Sequence, residues 1–312
     1  MLVAVWAVVM ALAGCAGQAD DSPALQPSGE ILVSDDALRH VAIDLETGRV
    51  RQMAPSESPS AVARWSADHR HVAFAQSNSR DGTIQIRVAR DSGAEIGESD
   101  VVATFVGQSD EAVPTWSPGC ERIAFGAFLP DGKIEVVTAN TDGSDRRSVP
   151  TLALDMTGFD WAPSAGMLVA HRLNDGIDGA TASIVTIDIS TGEVTELVKS
   201  EDTADAWPRW SPDGRTIVFS RTGADGSSQI VFVDADGSNQ RTLETGEVTA
   251  SAPVWSPDGE WIAYSLGEDR DVAVSRIDGS RQQILEINGG PTDWGDGDGR
   301  CTGSGAALEP LP

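Results

Sequence analysis

One ten-residue phrase recurs along this chain and limits what it can fold into. It is clearest as Trp210-Ser211-Pro212-Asp213-Gly214-Arg215-Thr216-Ile217-Val218-Phe219, and again as Trp255-Ser256-Pro257-Asp258-Gly259-Glu260-Trp261-Ile262-Ala263-Tyr264. Trp116-Ser117-Pro118-Gly119-Cys120 and Trp65-Ser66-Ala67-Asp68-His69 open two further copies. Trp161-Ala162-Pro163-Ser164-Ala165 is a worn copy, and Trp294-Gly295-Asp296-Gly297 a truncated one. The tryptophans are spaced by 51, 45, 49, 45 and 39 residues. A period of roughly 40–50 residues marks a repeat architecture.

Each copy is read as a hairpin. Pro presets φ for the second turn position, and Gly accepts the positive φ that follows. A β-branched or aromatic run such as Ile217-Val218-Phe219 comes next. Two more strands are expected downstream: Gln229–Asp234 and Arg241–Leu243 around Asp236-Gly237 in one repeat, Asp271–Arg276 and Gln282–Leu285 around Asp278-Gly279 in the next. Four short strands per repeat, arranged radially, make an all-β propeller in which neighbouring blades bury each other's faces. Trp65, Trp116, Trp161, Trp210, Trp255 and Trp294 are then the plugs between blades, and Trp210→Ala is expected to cost about 3–5 kcal/mol.

The blade count follows from the two ends. Pro291–Trp294 supplies an innermost strand with no partners after it. Ile31–Ser34, His40–Asp44 and Arg49–Met53 supply the missing second, third and fourth strands. A six-bladed propeller is expected, its sixth blade made of three N-terminal strands and one C-terminal strand.

The Trp-Ser-Pro-Asp-Gly repeat resembles that of TolB-type propellers, which also occur as a domain of prolyl oligopeptidase-like enzymes. The resemblance covers residues 29–300, and is strongest at Trp116, Trp210 and Trp255. It implies a fold and, through TolB, a protein-binding role in the bacterial cell envelope. TolB has an additional N-terminal α/β domain with no counterpart in this sequence.

Residues 1–14 are apolar and uncharged, as in the core of a signal peptide. Leu12-Ala13-Gly14-Cys15 resembles the lipobox of bacterial lipoproteins, which implies lipid on Cys15 and an extracytoplasmic, membrane-anchored protein. Residues 15–28 read as a lipidated tether rich in small and polar residues. Residues 29–300 are the propeller, and 301–312 a tail. With Cys15 assigned to lipid, Cys120 and Cys301 are left to pair outside the cytoplasm, both on the tight-turn rim.

The formal charge is −26. Only Lys133 and Lys199 are lysines. Nucleic acid, bound through cations that neutralise phosphates, is argued against. The charge suits a basic protein or peptide partner. The candidate contact residues are the carboxylates of the variable-loop rim: Asp110, Glu111, Asp155, Asp202, Asp205 and Glu247, with Glu201 and Glu244 beside them. No catalytic residue, metal ligand or cofactor is assigned. His40, His69, His71 and His171 are not expected to converge on one pocket, no Gly-x-Ser-x-Gly occurs, and Asp296-Gly297-Asp298-Gly299 lacks the remaining ligands of a calcium loop. Two alternatives to a non-catalytic scaffold are kept: a metal-dependent polysaccharide lyase, and a propeller that senses a small ligand or cation.

Overall fold

The computed structural model describes residues 26–34, 40–53, 62–78, 81–93, 96–106, 112–129, 133–151, 156–174, 181–246, 249–295 and 301. The signal, Cys15 and most of the tether and tail lie outside the described residues. The described chain is strand and turn, with no helix.

Three strands come first: β1 (Glu30–Ser34), β2 (His40–Asp44) and β3 (Val50–Gln52). The Trp65 unit follows as β4 (Ala63–Trp65), β5 (His71–Asn78), β6 (Thr83–Asp91) and β7 (Ile96–Val106). The Trp116 unit is β8 (Thr115–Trp116), β9 (Arg122–Phe128), β10 (Ile134–Asn140) and β11 (Arg147–Ser148). The Trp161 unit is β12 (Met156–Trp161), β13 (Met167–Leu173), β14 (Ala182–Asp188) and β15 (Val194–Val198). The Trp210 unit is β16 (Ala204–Trp210), β17 (Thr216–Thr222), β18 (Ser228–Asp234) and β19 (Arg241–Thr242). The Trp255 unit is β20 (Ala250–Trp255), β21 (Trp261–Leu266), β22 (Asp271–Arg276) and β23 (Gln282–Asn288). The last strand, β24 (Gly290–Gly295), pairs with β1, giving the mixed sheet β24-β1-β2-β3.

Four of the sheets are four-stranded and one has eight strands. The eight-stranded sheet is the Trp161 and Trp210 units joined by a single parallel pair, Ala182 with Ala204. A like bridge joins Ser228 to Thr249 where the Trp210 unit meets the Trp255 unit. The innermost strands touch in a closed circuit, β4 to β8, β12, β16, β20, β24 and back to β4. The apolar core is divided accordingly. Each buried cluster combines residues of two neighbouring units, and each tryptophan of the repeat lies in the cluster between its own unit and the one before it. Packing between units, rather than within one, buries the strand faces.

Five of these tryptophans are buried, at 4–8 % exposure. Trp210, in the clearest copy of the repeat, differs: it is partly exposed, and its indole N–H has no partner among the described residues. Truncating it therefore removes an orphaned donor along with less buried surface. Trp210→Ala is predicted to cost about 2 kcal/mol, below the 3–5 kcal/mol of a fully buried tryptophan. Urea melts of Trp210→Ala beside Trp116→Ala would check the order.

The Ser-x-Asp-x phrase builds its turn by side-chain bonds. Ser211 Oγ donates to Asp213 Oδ1 (2.6 Å), Arg215 N donates to the same oxygen (3.0 Å), and Thr216 N donates to Ser211 Oγ (3.0 Å). The Ser66 and Ser256 turns repeat this pattern. Gly214 and Gly259 take φ of +70° and +72° there, and the same slot is filled by His69, Cys120 and Ala165 at +55°, +58° and +64°. Left-handed backbone costs a non-glycine residue about 1–2 kcal/mol. Ala165→Gly relieves that strain against the extra chain entropy of glycine, so a gain of about 0.5–1 kcal/mol is predicted, readable as a rise in Tm.

On the other rim several strands run long: β5 reaches Asn78, β13 reaches Leu173, β16 begins at Ala204 and β17 reaches Thr222. Polar side chains at these strand ends pair across the ladder, as Thr222 Oγ1 does with Ser228 Oγ at 2.7 Å.

Candidate binding face and channel

The ring has two unlike rims. On the tight rim the inner and outer turns of each unit are laced together by backbone bonds: Asp91 N to Arg70 O, Thr141 N to Glu121 O, Ile189 N to Gly166 O, Ala235 N to Arg215 O and Ile277 N to Glu260 O. Its polar groups are largely satisfied internally. Cys120 and Cys301 are joined there by a disulfide, with Cα atoms 5.4 Å apart. Asp68 stands beside both sulfurs, the three groups lying within 4.8 Å of one another. That is the metal-like grouping found among the described residues, and its sulfurs are spent on each other. No histidine joins it.

The opposite rim carries the connections into and between units. Of the acidic residues expected there, Asp110, Glu111, Asp155 and Glu247 lie outside the described residues. Asp202 and Glu201 are exposed, with Glu201 accepting a 2.8 Å bond from Lys199. Asp205 is a correction. It is fully buried, accepts Arg221 Nε and Nη2 at 2.8 and 2.7 Å, and accepts Ser200 Oγ at 2.6 Å. A carboxylate committed to a two-pronged guanidinium offers nothing to a partner; it ties the Trp161–Trp210 connection to β17. Beside it is a shallow recess of about 270 Å³, lined by Asn174, Thr181, Ser183, Glu196, Lys199 and Glu201.

Towards the axis three of the innermost strands, β12, β16 and β20, are bulged three residues before the tryptophan. The ladder slips between Thr157 and Asp160, between Ala206 and Arg209, and between Ser251 and Val254, with Gly158, Trp207 and Ala252 at positive φ. At position 158 a Cβ would lie 2.7 Å from His171 Nδ1, so any residue other than glycine would have to displace that ring. His171 is itself buried, 5.8 Å ring to ring from Trp207, and burial lowers its pKa to about 4, so it is neutral near pH 7.

The residue that precedes each tryptophan is Arg64, Thr115, Asp160, Arg209, Val254 and Asp293 in ring order. Four of these are charged, and they were absent from the sequence-based site. Arg64 Nη1 reaches Asp160 Oδ1 at 2.8 Å, passing Thr115 at 3.4 Å and so skipping the Trp116 unit. Arg209 Nη2 reaches Thr292 O at 3.4 Å, skipping the Trp255 unit. Only side chains that project into the centre of the ring can bond across a skipped unit. Asp160 Oδ2 accepts Trp210 N (2.8 Å), and Asp293 Oδ2 accepts Trp65 N (2.7 Å). The two aspartates thus cap the exposed inner edge of the next unit. Burial pushes the Asp160 carboxyl up to about 6, with Arg64 opposing and Asp293 adding repulsion; burial also raises Asp293. The signal in the sequence was the position before Trp, which carries a charge in four repeats out of six.

Comparison with known proteins agrees with this architecture. The family described as the TolB beta propeller domain matches residues 100–293, more than half of the chain. Over 126 residues the chain is 31% identical to a protein of Bacillus subtilis (strain 168) named as the uncharacterized peptidase YuxL. The match covers 39% of this chain and 19% of that one, so the chain spans about a fifth of that relative's length. Among solved structures, TolB from Acinetobacter baumannii superposes with a TM-score of 0.69 at 17% identity, covering 86% of this chain and 66% of that one. A putative TolB from Agrobacterium tumefaciens superposes with a TM-score of 0.64 at 20% identity, covering 85% and 91%. At these identities the structures speak for fold alone. The repeat, the ring of innermost strands and the family match together place this chain in the TolB beta-propeller family.

Proposed function

We propose that the protein is a six-bladed, lipid-anchored propeller of the bacterial cell envelope that binds a protein or peptide partner through its variable-loop rim, without catalysis. The six-membered circuit of innermost strands supports counting the eight-stranded sheet as two blades, which gives six. The Cys120–Cys301 bond favours an oxidising, extracytoplasmic compartment, which agrees with lipid on Cys15. The observation that carries the binding role is the contrast between rims. Both rims carry exposed acid beside a shallow recess, but tight-rim acids such as Asp213 and Asp236 are bonded within their own turns, whereas on the other rim Asp202 is exposed with Glu201 next to it. Loops held on a rigid scaffold are where binding surfaces are usually built. A partner with exposed Lys or Arg matches both this face and the charge of −26.

The test is cross-linking in the native cell, with affinity recovery and mass spectrometry. A reproducible partner that is lost when Asp110, Glu111, Glu201 and Asp202 are changed together to Ser is the expected result. Asp205 is left intact, because changing it would unseat Arg221. A partner retained by that variant would move the interface off this rim. Cys15→Ser is predicted to shift the protein from the detergent-rich to the aqueous phase on Triton X-114 partition.

A further inference from the structure

Among the described residues that precede the tryptophans, the buried side-chain atoms without a partner are all donors, on Arg64 and Arg209. The acceptors are committed: Asp160 holds Arg64 Nη1 and Trp210 N, and Asp293 holds the backbone N–H of Trp65 and of Trp294. The guanidiniums are not. Arg64 is 4 % exposed, and its Nε and Nη2 have no acceptor among the described residues. Arg209 is 8 % exposed, its Nη1 has none, and its one side-chain bond among the described residues, to Thr292 O, is long at 3.4 Å. Arg209 forms no ion pair among the described residues. A buried guanidinium whose N–H groups lack acceptors is strongly unfavourable, and the natural remedy is an anion. The place is not sealed, since the Asp160 side chain keeps 17 % exposure at the same level of the ring.

We propose that the centre of the ring is a binding site for a small oxyanion, a free carboxylate or phosphate, received by Arg209 with the unspent donors of Arg64. Guanidinium suits such a ligand because its planar fork matches two oxygens. The two arginines come from the Trp65 and Trp210 units, diametrically placed in the circuit of innermost strands. A ligand held by both would link opposite sides of the ring. This site is independent of the rim carboxylates, so either reading can fail alone.

Inorganic phosphate and acetate, titrated separately into the full mature chain in low-salt buffer, provide the test. Calorimetry gives affinity, and thermal melts give the rise in Tm that ligand binding to the folded state produces. Wild type is expected to saturate with at least one of the two. Arg209→Met, which replaces an incompletely paired buried charge by an apolar chain of similar length, is expected to fold and to be no less stable without anion. Its affinity for the anion is expected to fall about tenfold or more, a loss of about 1.4 kcal/mol or more. Arg209→Lys, which keeps the charge and loses the fork, is the second variant, and an intermediate affinity is expected of it. Phosphate also stabilises proteins generally, by exclusion from their surface. A Tm rise that does not saturate, or that is equal in wild type and Arg209→Met, overturns the proposal. So does undiminished affinity in Arg209→Lys together with heat of binding retained in Arg209→Met.

Discussion

Reduction of the Cys120–Cys301 disulfide is expected to lower stability by about 4–5 kcal/mol, which for a chain of this size is a fall in Tm on the order of 10 °C. The bond closes a loop with a sequence separation of 181 residues, and the chain entropy that it withholds from the unfolded state grows with loop length. Its position adds to the effect. Cys301 follows β24, the one C-terminal strand of the mixed sheet, whereas Cys120 sits in the tight turn of the Trp116 unit. The bond therefore passes over the turn of the Trp65 unit, where Asp68 lies beside it. The seam where the two ends of the chain meet, β1 on β24, is thereby backed by a covalent bond. Thermal melts with and without a phosphine reductant, and of Cys301→Ser, are the measurement. Equal Tm values in the two redox states would mean that the β1–β24 pairing and the Trp294 cluster close the ring unaided.

How much of this was legible in the sequence depends on whether a residue acts within one repeat or between two. The Trp-Ser-Pro-Asp-Gly phrase encodes its own turn through bonds two to five residues apart, so the hairpins and their spacing could be read directly. The seam was legible because each end of the chain supplies what the other lacks. Asp205 was misread because its partner Arg221 lies sixteen residues on, in the neighbouring strand, and nothing local distinguishes a tied carboxylate from an open one. The channel quartet was hidden for a further reason. Arg64 and Asp160 are 96 residues apart in sequence, and meet only because two repeats are placed with one between them. The bulges at Gly158, Trp207 and Ala252 carry no common residue type, so the geometry that precedes Asp160 and Arg209 had no sequence signature.

Arg64→Met is expected to destabilise the protein by about 3–5 kcal/mol at pH 7, and by much less near pH 4. Arg64 is the cation bonded to Asp160, and it attracts Asp293 as well. Both carboxyls are largely desolvated, and the Asp293 charge repels that of Asp160. Without the guanidinium, two desolvated carboxylates would lack their cation at neutral pH. The pH dependence follows from the direction of the shifts. In the wild type Asp160 titrates near 6, above the 3.8 of an unfolded carboxyl, so the folded state holds its proton longer. Below about pH 4 the group contributes no difference. Between pH 4 and 6 the unfolded chain ionises first, and stability falls as pH rises, by about 3 kcal/mol in all. Removing Arg64 raises both carboxyls further, which deepens and widens that fall. Turn aspartates such as Asp213 and Asp236, lowered by their bonds to Ser211 and Ser238, act in the opposite sense and in a separate window, below about pH 4. Urea melts of wild type and Arg64→Met at pH 4.5 and 7 separate the two origins of a loss. Packing lost with the Arg64 stem would cost the same at both pH values, whereas an uncompensated charge costs more at pH 7. Asp160→Asn placed on top of Arg64→Met removes one of the two charges, and is expected to restore a large part of the stability lost at pH 7, because a neutral amide can still accept the Trp210 N–H without requiring a cation beside it.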